Sequence, residues 1–161
     1  MKDSNFPYKN ILIACSVNTA RSPMAEGFLK DYFSKNNMEV SVFSGGIASH
    51  ARDGMLISMD AKLAMKEMGI ELSDTYVSID LKKPEHQKHF EKADLILTLT
   101  EKHKEEIANF LEIDGKTILT IKEFGGENGD IKDPSMKGLE GFRIARDEIV
   151  HSLIKGLDKY K

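Results

Sequence analysis

A cysteine and an arginine, Cys15 and Arg21, lie six residues apart directly after a short apolar run. Free backbone N–H groups and positive charge at a helix N-terminus stabilise a thiolate and bind oxyanions. Arginine adds a planar fork that holds two oxygens of a phosphoryl group at once. The pair therefore predicts a nucleophilic Cys15 that attacks phosphorus to form a phosphocysteine, with Arg21 binding the phosphoryl oxygens.

The residues around this pair predict a phosphate-binding loop. The loop consists of Cys15 followed by Ser16, Val17, Asn18, Thr19, Ala20, Arg21 and Ser22. The backbone N–H groups of a curled loop point inward and bind an anion, and the helix that follows adds its positive dipole end. Because amides and a guanidinium stabilise the equatorial oxygens of phosphate, we expect no metal ion and no cofactor.

Hydrolysis also requires an acid for the leaving group, and Asp133 is the candidate. Pro134 follows it and restricts Asp133 to extended backbone, so that a rigid turn presents the carboxyl group. General acid–base catalysis by such a group contributes about 10²–10⁴-fold. An Asp-Pro pair is also common in plain turns, so the sequence leaves a turn-only role for Asp133 open.

Apolar runs and helical patterns alternate along the chain. Strands are predicted at Asn10–Ala14, Val40–Phe43, Leu95–Leu99 and Thr117–Ile121, and helices at Pro23–Ser34, Leu56–Met68, Glu101–Leu111 and Leu139–Leu157. Ser22 is the predicted N-cap of the first helix, and Ser44-Gly45-Gly46 is predicted to end the second strand. The alternation predicts an α/β fold with a doubly wound parallel sheet and helices on both faces. Such sheets bind ligands beyond the carboxyl ends of their strands, where the loop after the first strand lies.

Length and composition exclude several classes of protein. The 161 residues predict one domain that spans residues 1–161. A formal net charge of −3 argues against a nucleic-acid partner. The single cysteine excludes an internal disulfide and a cysteine-rich zinc site. No apolar run is long enough to span a bilayer and the N-terminus carries no signal-type segment, so we expect a cytoplasmic protein without a membrane partner.

Together these residues resemble the low-molecular-weight protein tyrosine phosphatases, from Ile11 to Leu157. The resemblance rests on Cys15, on Arg21-Ser22-Pro23-Met24-Ala25-Glu26, on Asp133-Pro134, on Ser44-Gly45-Gly46 and on Ala93-Asp94-Leu95-Ile96-Leu97. It implies a four-stranded parallel sheet in the order 2-1-3-4. It also implies that Cys15 is the nucleophile, Arg21 the phosphate ligand and Asp133 the general acid. Ser22 would donate a hydrogen bond to the thiolate, and Asn18 would hold the loop with Ser44. Phosphorylated proteins would be the substrates, and inorganic phosphate and other oxyanions the inhibitors.

Three residues are expected at the substrate rim, namely Thr19, His50 and Ser135. Family members that act on phosphotyrosine usually carry an aliphatic residue where this chain has Thr19, whereas bacterial members that act on phosphoarginine carry threonine. His50 and Ser135 stand where tyrosine-directed members show aromatic walls. The resemblance therefore implies a phosphatase for phosphotyrosine and/or phosphoarginine.

Two departures from the family pattern leave alternatives open. Val17 stands where glycine is usual, and a positive φ there would cost about 1–3 kcal/mol. Ala20 replaces a second cysteine that is common in the loop. The alternatives are an arsenate-reductase-like enzyme that uses an external thiol, since Cys15 has no intramolecular partner, and a non-catalytic phosphate- or phosphopeptide-binding module.

Overall fold

The computed structural model describes residues 5–110 and 115–161 and contains one parallel sheet in that part of the chain. The strands are β1 (Asn10–Cys15), β2 (Ser41–Gly46), β3 (Leu95–Thr98) and β4 (Thr117–Thr120). They lie in the order β2-β1-β3-β4, and every neighbouring pair is parallel. The predicted fold class and strand order are confirmed.

Helices cover both faces of this sheet, as predicted. They are α1 (Arg21–Lys35), α2 (Met59–Lys66), α3 (Gln87–Lys92) after a 3-10 turn at Pro84–His86, α4 (Glu101–Phe110), α5 (Ile121–Phe124) and α6 (Gly138–Asp158). Side chains alternate along β1, so Ile11 and Ile13 share a core with α1, α2, α5 and α6. Leu12 and Ala14 share the opposite core with α3 and α4.

Two predicted boundaries beside the loop are wrong. Helix α1 begins at Arg21, so Ser22 lies inside the helix and does not cap it; its hydroxyl is bound to the thiol of Cys15 instead. Strand β2 runs through Ser44-Gly45-Gly46, and Gly46 pairs with Cys15. A Cβ at Gly46 would lie 2.7 Å from the carbonyl oxygen of Ser16. Glycine is needed here because β2 approaches the loop closely.

Other boundaries differ by a few residues. Helix α2 starts at Met59, because Leu56 forms a β-bridge with Val77 instead of a first helical turn. Strand β4 ends at Thr120, which caps the unpredicted helix α5 in a reciprocal capping box with Glu123. The predicted end of the helix that starts at Glu101, Leu111, lies outside the described residues. No helix in the described ranges has the length and apolar character to cross a membrane.

Candidate active site

The loop between β1 and α1 turns its carbonyl groups outward. Three of these carbonyls, at Cys15, Ser16 and Thr19, accept hydrogen bonds from the N–H groups of Ile47 (2.9 Å), Ala48 (3.1 Å) and Ser58 (2.9 Å), respectively. In a trans planar peptide the N–H group points opposite to the carbonyl. The N–H groups of the residues that follow these carbonyls therefore point to the inside of the loop, where they can bind an anion.

Cys15 lies at the bottom of this loop as a free thiol and is 2% exposed. Its Sγ atom lies 2.8 Å from the hydroxyl oxygen of Ser22, and the backbone N–H of Asn18 donates to it over 3.3 Å. The sulfur is thus held where it faces whatever anion the loop binds.

Asn18 holds the loop in shape. Its side chain is fully buried; Nδ2 donates to the hydroxyls of Ser22 (2.8 Å) and Ser44 (2.9 Å), and Oδ1 accepts from the N–H of Ile79 (3.0 Å). Its φ of 65° lies in the left-handed region, which asparagine tolerates better than most residues. Val17 has no positive φ in the described structure, so the backbone strain that a positive φ would cause at this residue is absent.

Glu26 and Tyr76 form hydrogen bonds that hold Ser44, one of the partners of Asn18, in place. The Ser44 hydroxyl is hydrogen-bonded to the carboxylate of Glu26 and to the hydroxyl of Tyr76, and Tyr76 also donates to Glu26. Glu26 is 3% exposed and pairs with Lys30 at 2.7 Å. Burial and the Glu26 charge raise the pKa of Tyr76, so its hydroxyl stays a donor. Sequence reasoning did not find Tyr76, and the short segment around it carries no local signal.

Arg21 and Asp133 meet at the mouth of the loop. They line one cavity of about 20 Å³ together with Cys15, Ser16, Val17, Thr19, Ala20 and Ser135. Arg21 is 5% exposed; its Nη1 atom donates to the carbonyl of Ile131 (2.8 Å) and its Nη2 atom to the hydroxyl of Ser16 (3.4 Å). The structure therefore brings the three predicted catalytic side chains to one place.

The surroundings of Asp133 set the pKa of its carboxyl group. Burial works to raise the pKa of this carboxyl, but hydrogen bonds from Ser135 and the charge of Arg21 outweigh burial and hold the pKa below its usual range. The Ser135 N–H donates to Oδ1 over 3.0 Å. Pro134 is buried and fixes the turn between them. This arrangement presents the Asp133 carboxylate at the cavity.

The rim residues and one unpredicted histidine complete the site. Thr19 and Ser135 line the cavity, whereas His50 is exposed and lies outside the lining. His103 is 3% exposed, and its Nε2 atom lies 2.9 Å from the Ser16 hydroxyl. Its spacing of four residues from the buried Ile107 on α4 is the sequence signal that could have placed it on an inward face.

Among the described residues, one cluster could hold a metal ion, and it lies apart from the loop. Ligand atoms of Asp53, Glu85 and His86 lie within 4.8 Å of one another. Asp53 already pairs with Lys83 (3.3 Å) and His86 (3.2 Å), and both carboxylates are exposed. The contacts with Lys83 and His86 account for the position of Asp53 without a metal ion.

The chain matches the family described as low molecular weight phosphotyrosine protein phosphatase over residues 10–160. A protein-arginine-phosphatase of Geobacillus stearothermophilus is 40% identical over 145 residues, which cover 89% of each chain. A protein-arginine-phosphatase of Bacillus subtilis is 32% identical over 151 residues, covering 93% of this chain and 95% of that one.

A solved structure shows the same architecture. The arginine phosphatase YwlE, solved as a cysteine-to-serine mutant with a phosphorylated active-site serine, superposes with a TM-score of 0.83 at 30% identity. The alignment covers 93% of this chain and 94% of that chain.

Proposed function

This chain belongs to the low molecular weight phosphotyrosine protein phosphatase family and is a cysteine-dependent protein phosphatase, and we propose that Cys15, Arg21 and Asp133 carry out its reaction. It hydrolyses phosphotyrosine and/or phosphoarginine on proteins through a phosphocysteine intermediate. The observation that carries the residue assignment is that all three side chains line one cavity.

The reaction has two steps. The Cys15 sulfur attacks phosphorus, the bond to the tyrosine oxygen or arginine nitrogen breaks, and Asp133 gives that leaving atom a proton. Asp133 then takes a proton from water, which attacks the phosphocysteine and releases inorganic phosphate and the Cys15 thiolate. Arg21 and the loop N–H groups bind the equatorial oxygens through both transition states.

Asp133 must be protonated when the substrate is bound. In the free protein its pKa lies below the usual range, so the carboxyl group is ionised at neutral pH. A phosphoryl anion bound beside it adds negative charge and neutralises the pull of Arg21, and both changes raise the proton affinity of the carboxylate. The proton is therefore taken up on substrate binding.

The proposal extends to substrate choice, and phosphoarginine is the preferred residue. Thr19 lines the same cavity as Asp133, and a threonine hydroxyl can accept a hydrogen bond from a guanidinium leaving group. The two relatives at 40% and 32% identity are both arginine phosphatases, which supports this choice.

The test compares kcat/KM on matched phosphoarginine and phosphotyrosine peptides, for the natural chain and for Thr19→Val. Valine keeps the shape of threonine and removes the hydroxyl, so we expect it to lower kcat/KM on phosphoarginine by about tenfold and to spare phosphotyrosine. Cys15→Ser is the control without turnover. A natural preference for phosphotyrosine, or equal losses on both peptides, would contradict the proposed specificity.

Compartment and inhibitors are part of the same proposal. Cys15 must stay reduced to act as a nucleophile, which fits the cytoplasm. Inorganic phosphate and other oxyanions compete for the loop. The assays should therefore be run in buffers free of phosphate and sulfate.

A further inference from the structure

His103 is a buried histidine that reaches the loop through a single hydroxyl. It sits in the first turn of α4, where its N–H donates to the Thr100 side chain over 3.1 Å. Its Nε2 atom lies 2.9 Å from Oγ of Ser16, the residue directly after the nucleophile. The same Oγ atom lies 3.4 Å from Nη2 of Arg21. Ser16 therefore lies between two nitrogen groups and lines the cavity.

The contacts of Ser16 decide where its single hydrogen points. A hydroxyl has one hydrogen and two lone pairs, and a guanidinium nitrogen can only donate. Arg21 therefore occupies one lone pair of Ser16. The hydroxyl then either donates to Nε2 of His103, or accepts a second hydrogen bond from an Nε2–H group.

The other ring nitrogen of His103 selects between these states. Nδ1 is buried and has no hydrogen-bond partner among the described residues. If Ser16 donated to Nε2, the neutral ring would carry its proton on Nδ1, and a buried N–H group would be left without an acceptor. Orphaned buried N–H groups are rarer than under-satisfied acceptors. The ring therefore carries its proton on Nε2, and Nδ1 keeps a bare lone pair.

We propose that the Ser16 hydroxyl accepts hydrogen bonds from both His103 and Arg21 and donates its own hydrogen to an oxygen of the bound phosphoryl group. Ser16 is then a catalytic residue that contacts the substrate through its side chain, and His103 is a positioning residue that acts through Ser16. This inference rests on the proposed phosphatase site and adds a substrate contact to it.

The charge state of the ring fits this role. Burial, then the charge of Arg21 and more weakly that of Lys102, lower the pKa of His103 to about 4, while the charges of Asp130 and Asp133 act weakly in the opposite direction. The imidazole is therefore neutral and carries one proton at the pH of the assays.

Variants at two positions test the proposal. Ser16→Ala removes the donor, so we expect kcat/KM on an aryl phosphate and the affinity for inorganic phosphate each to fall by about tenfold. His103→Leu removes the ring donor and should reproduce most of that loss, with no further loss in the double variant. His103→Gln places an N–H donor near the Nε2 position and should retain most of the activity.

Nitrogen chemical shifts give a readout that does not depend on turnover. In ¹⁵N-labelled protein at pH 7.5, we expect the His103 signals to show the Nε2–H tautomer. Finding the Nδ1–H tautomer would overturn the inference, and so would an unchanged phosphate affinity in folded Ser16→Ala. If His103→Leu does not fold, the tautomer measurement alone tests the role of His103. If the natural chain binds phosphate but hydrolyses no phosphorylated substrate, the proposed function is contradicted. The Ser16 contact can still be tested in that case, by comparing the phosphate affinities of the natural chain and Ser16→Ala.

Discussion

Replacing Asn18 with alanine separates the hydrogen bonds of the loop from its backbone strain, because a matched residue exists elsewhere. Asn37 also has a positive φ, 55° against 65° for Asn18, but it is exposed. Alanine at either position incurs the left-handed penalty of about 1–2 kcal/mol. Asn18→Ala also leaves the N–H of Ile79 without its acceptor, at about 1–3 kcal/mol, and removes both serine contacts, at about 1 kcal/mol in total once the serines find other partners.

The expected result is that Asn18→Ala lowers the free energy of unfolding by about 2–4 kcal/mol more than Asn37→Ala does. Urea denaturation measures both values, and an unchanged m-value shows that the midpoints report stability. We expect kcat/KM of Asn18→Ala to fall by about 10²-fold, because small displacements of reacting groups have effects of that size. Asn37→Ala should keep full activity. A stability difference below about 1 kcal/mol would refute the reasoning that side-chain hydrogen bonds fix this loop.

Three further predictions concern the neighbours of the loop. Gly46→Ala puts a methyl group 2.7 Å from the Ser16 carbonyl, so kcat/KM should fall at least tenfold. In Gly45→Ala the three nearest heavy atoms to the new methyl group all belong to the Leu81 side chain, so this variant should lower the melting temperature but reduce kcat/KM less than Gly46→Ala does. The pKa of His103 is about 4 in the folded chain and 6.5 ordinarily. As the pH falls from 6.5 to 4, the unfolded chain therefore binds a proton at this residue before the folded chain does. Stability should then drop by roughly 3 kcal/mol between pH 6.5 and 4, and His103→Gln should remove that part of the slope in urea titrations. Asp133→Asn should slow hydrolysis most for substrates with poor leaving groups; equal losses on activated and unactivated aryl phosphates would exclude it as the acid.

The sheet was predictable because its strands carry a strong, local signal. Short apolar runs such as Asn10–Ala14 alternate with helical patterns, and that alternation leaves few topologies. The end of β2 was not predictable in this way. Glycine normally interrupts a strand, but at Gly46 it permits the close contact with the loop. The reason for that glycine lies in a residue thirty positions away, Ser16, and not in its own segment.

In the site, too, the residues that lie close together in the sequence were predictable, and those that contact the loop from distant segments were not. The residues from Cys15 to Ser22 are contiguous, so their roles could be predicted from one stretch of sequence. Asp133 was predicted from its proline and from the family pattern. Tyr76 and His103 were missed, because each acts through one hydroxyl, that of Ser44 or Ser16, which only the folded chain brings near.

Val17 shows how the structure changes an argument made from the sequence. A valine where the family has glycine would count against catalysis if that position needed a positive φ. In the structure the left-handed turn falls on Asn18, which also supplies the hydrogen bonds to Ser22 and Ser44. One residue therefore provides both the turn and its fixation, and the shape of the loop does not depend on glycine at position 17. The proposal of a non-catalytic binding module therefore loses the support that Val17 gave it. The comparison of Asn18→Ala with Asn37→Ala tests whether Asn18 fixes the loop, on which this conclusion depends.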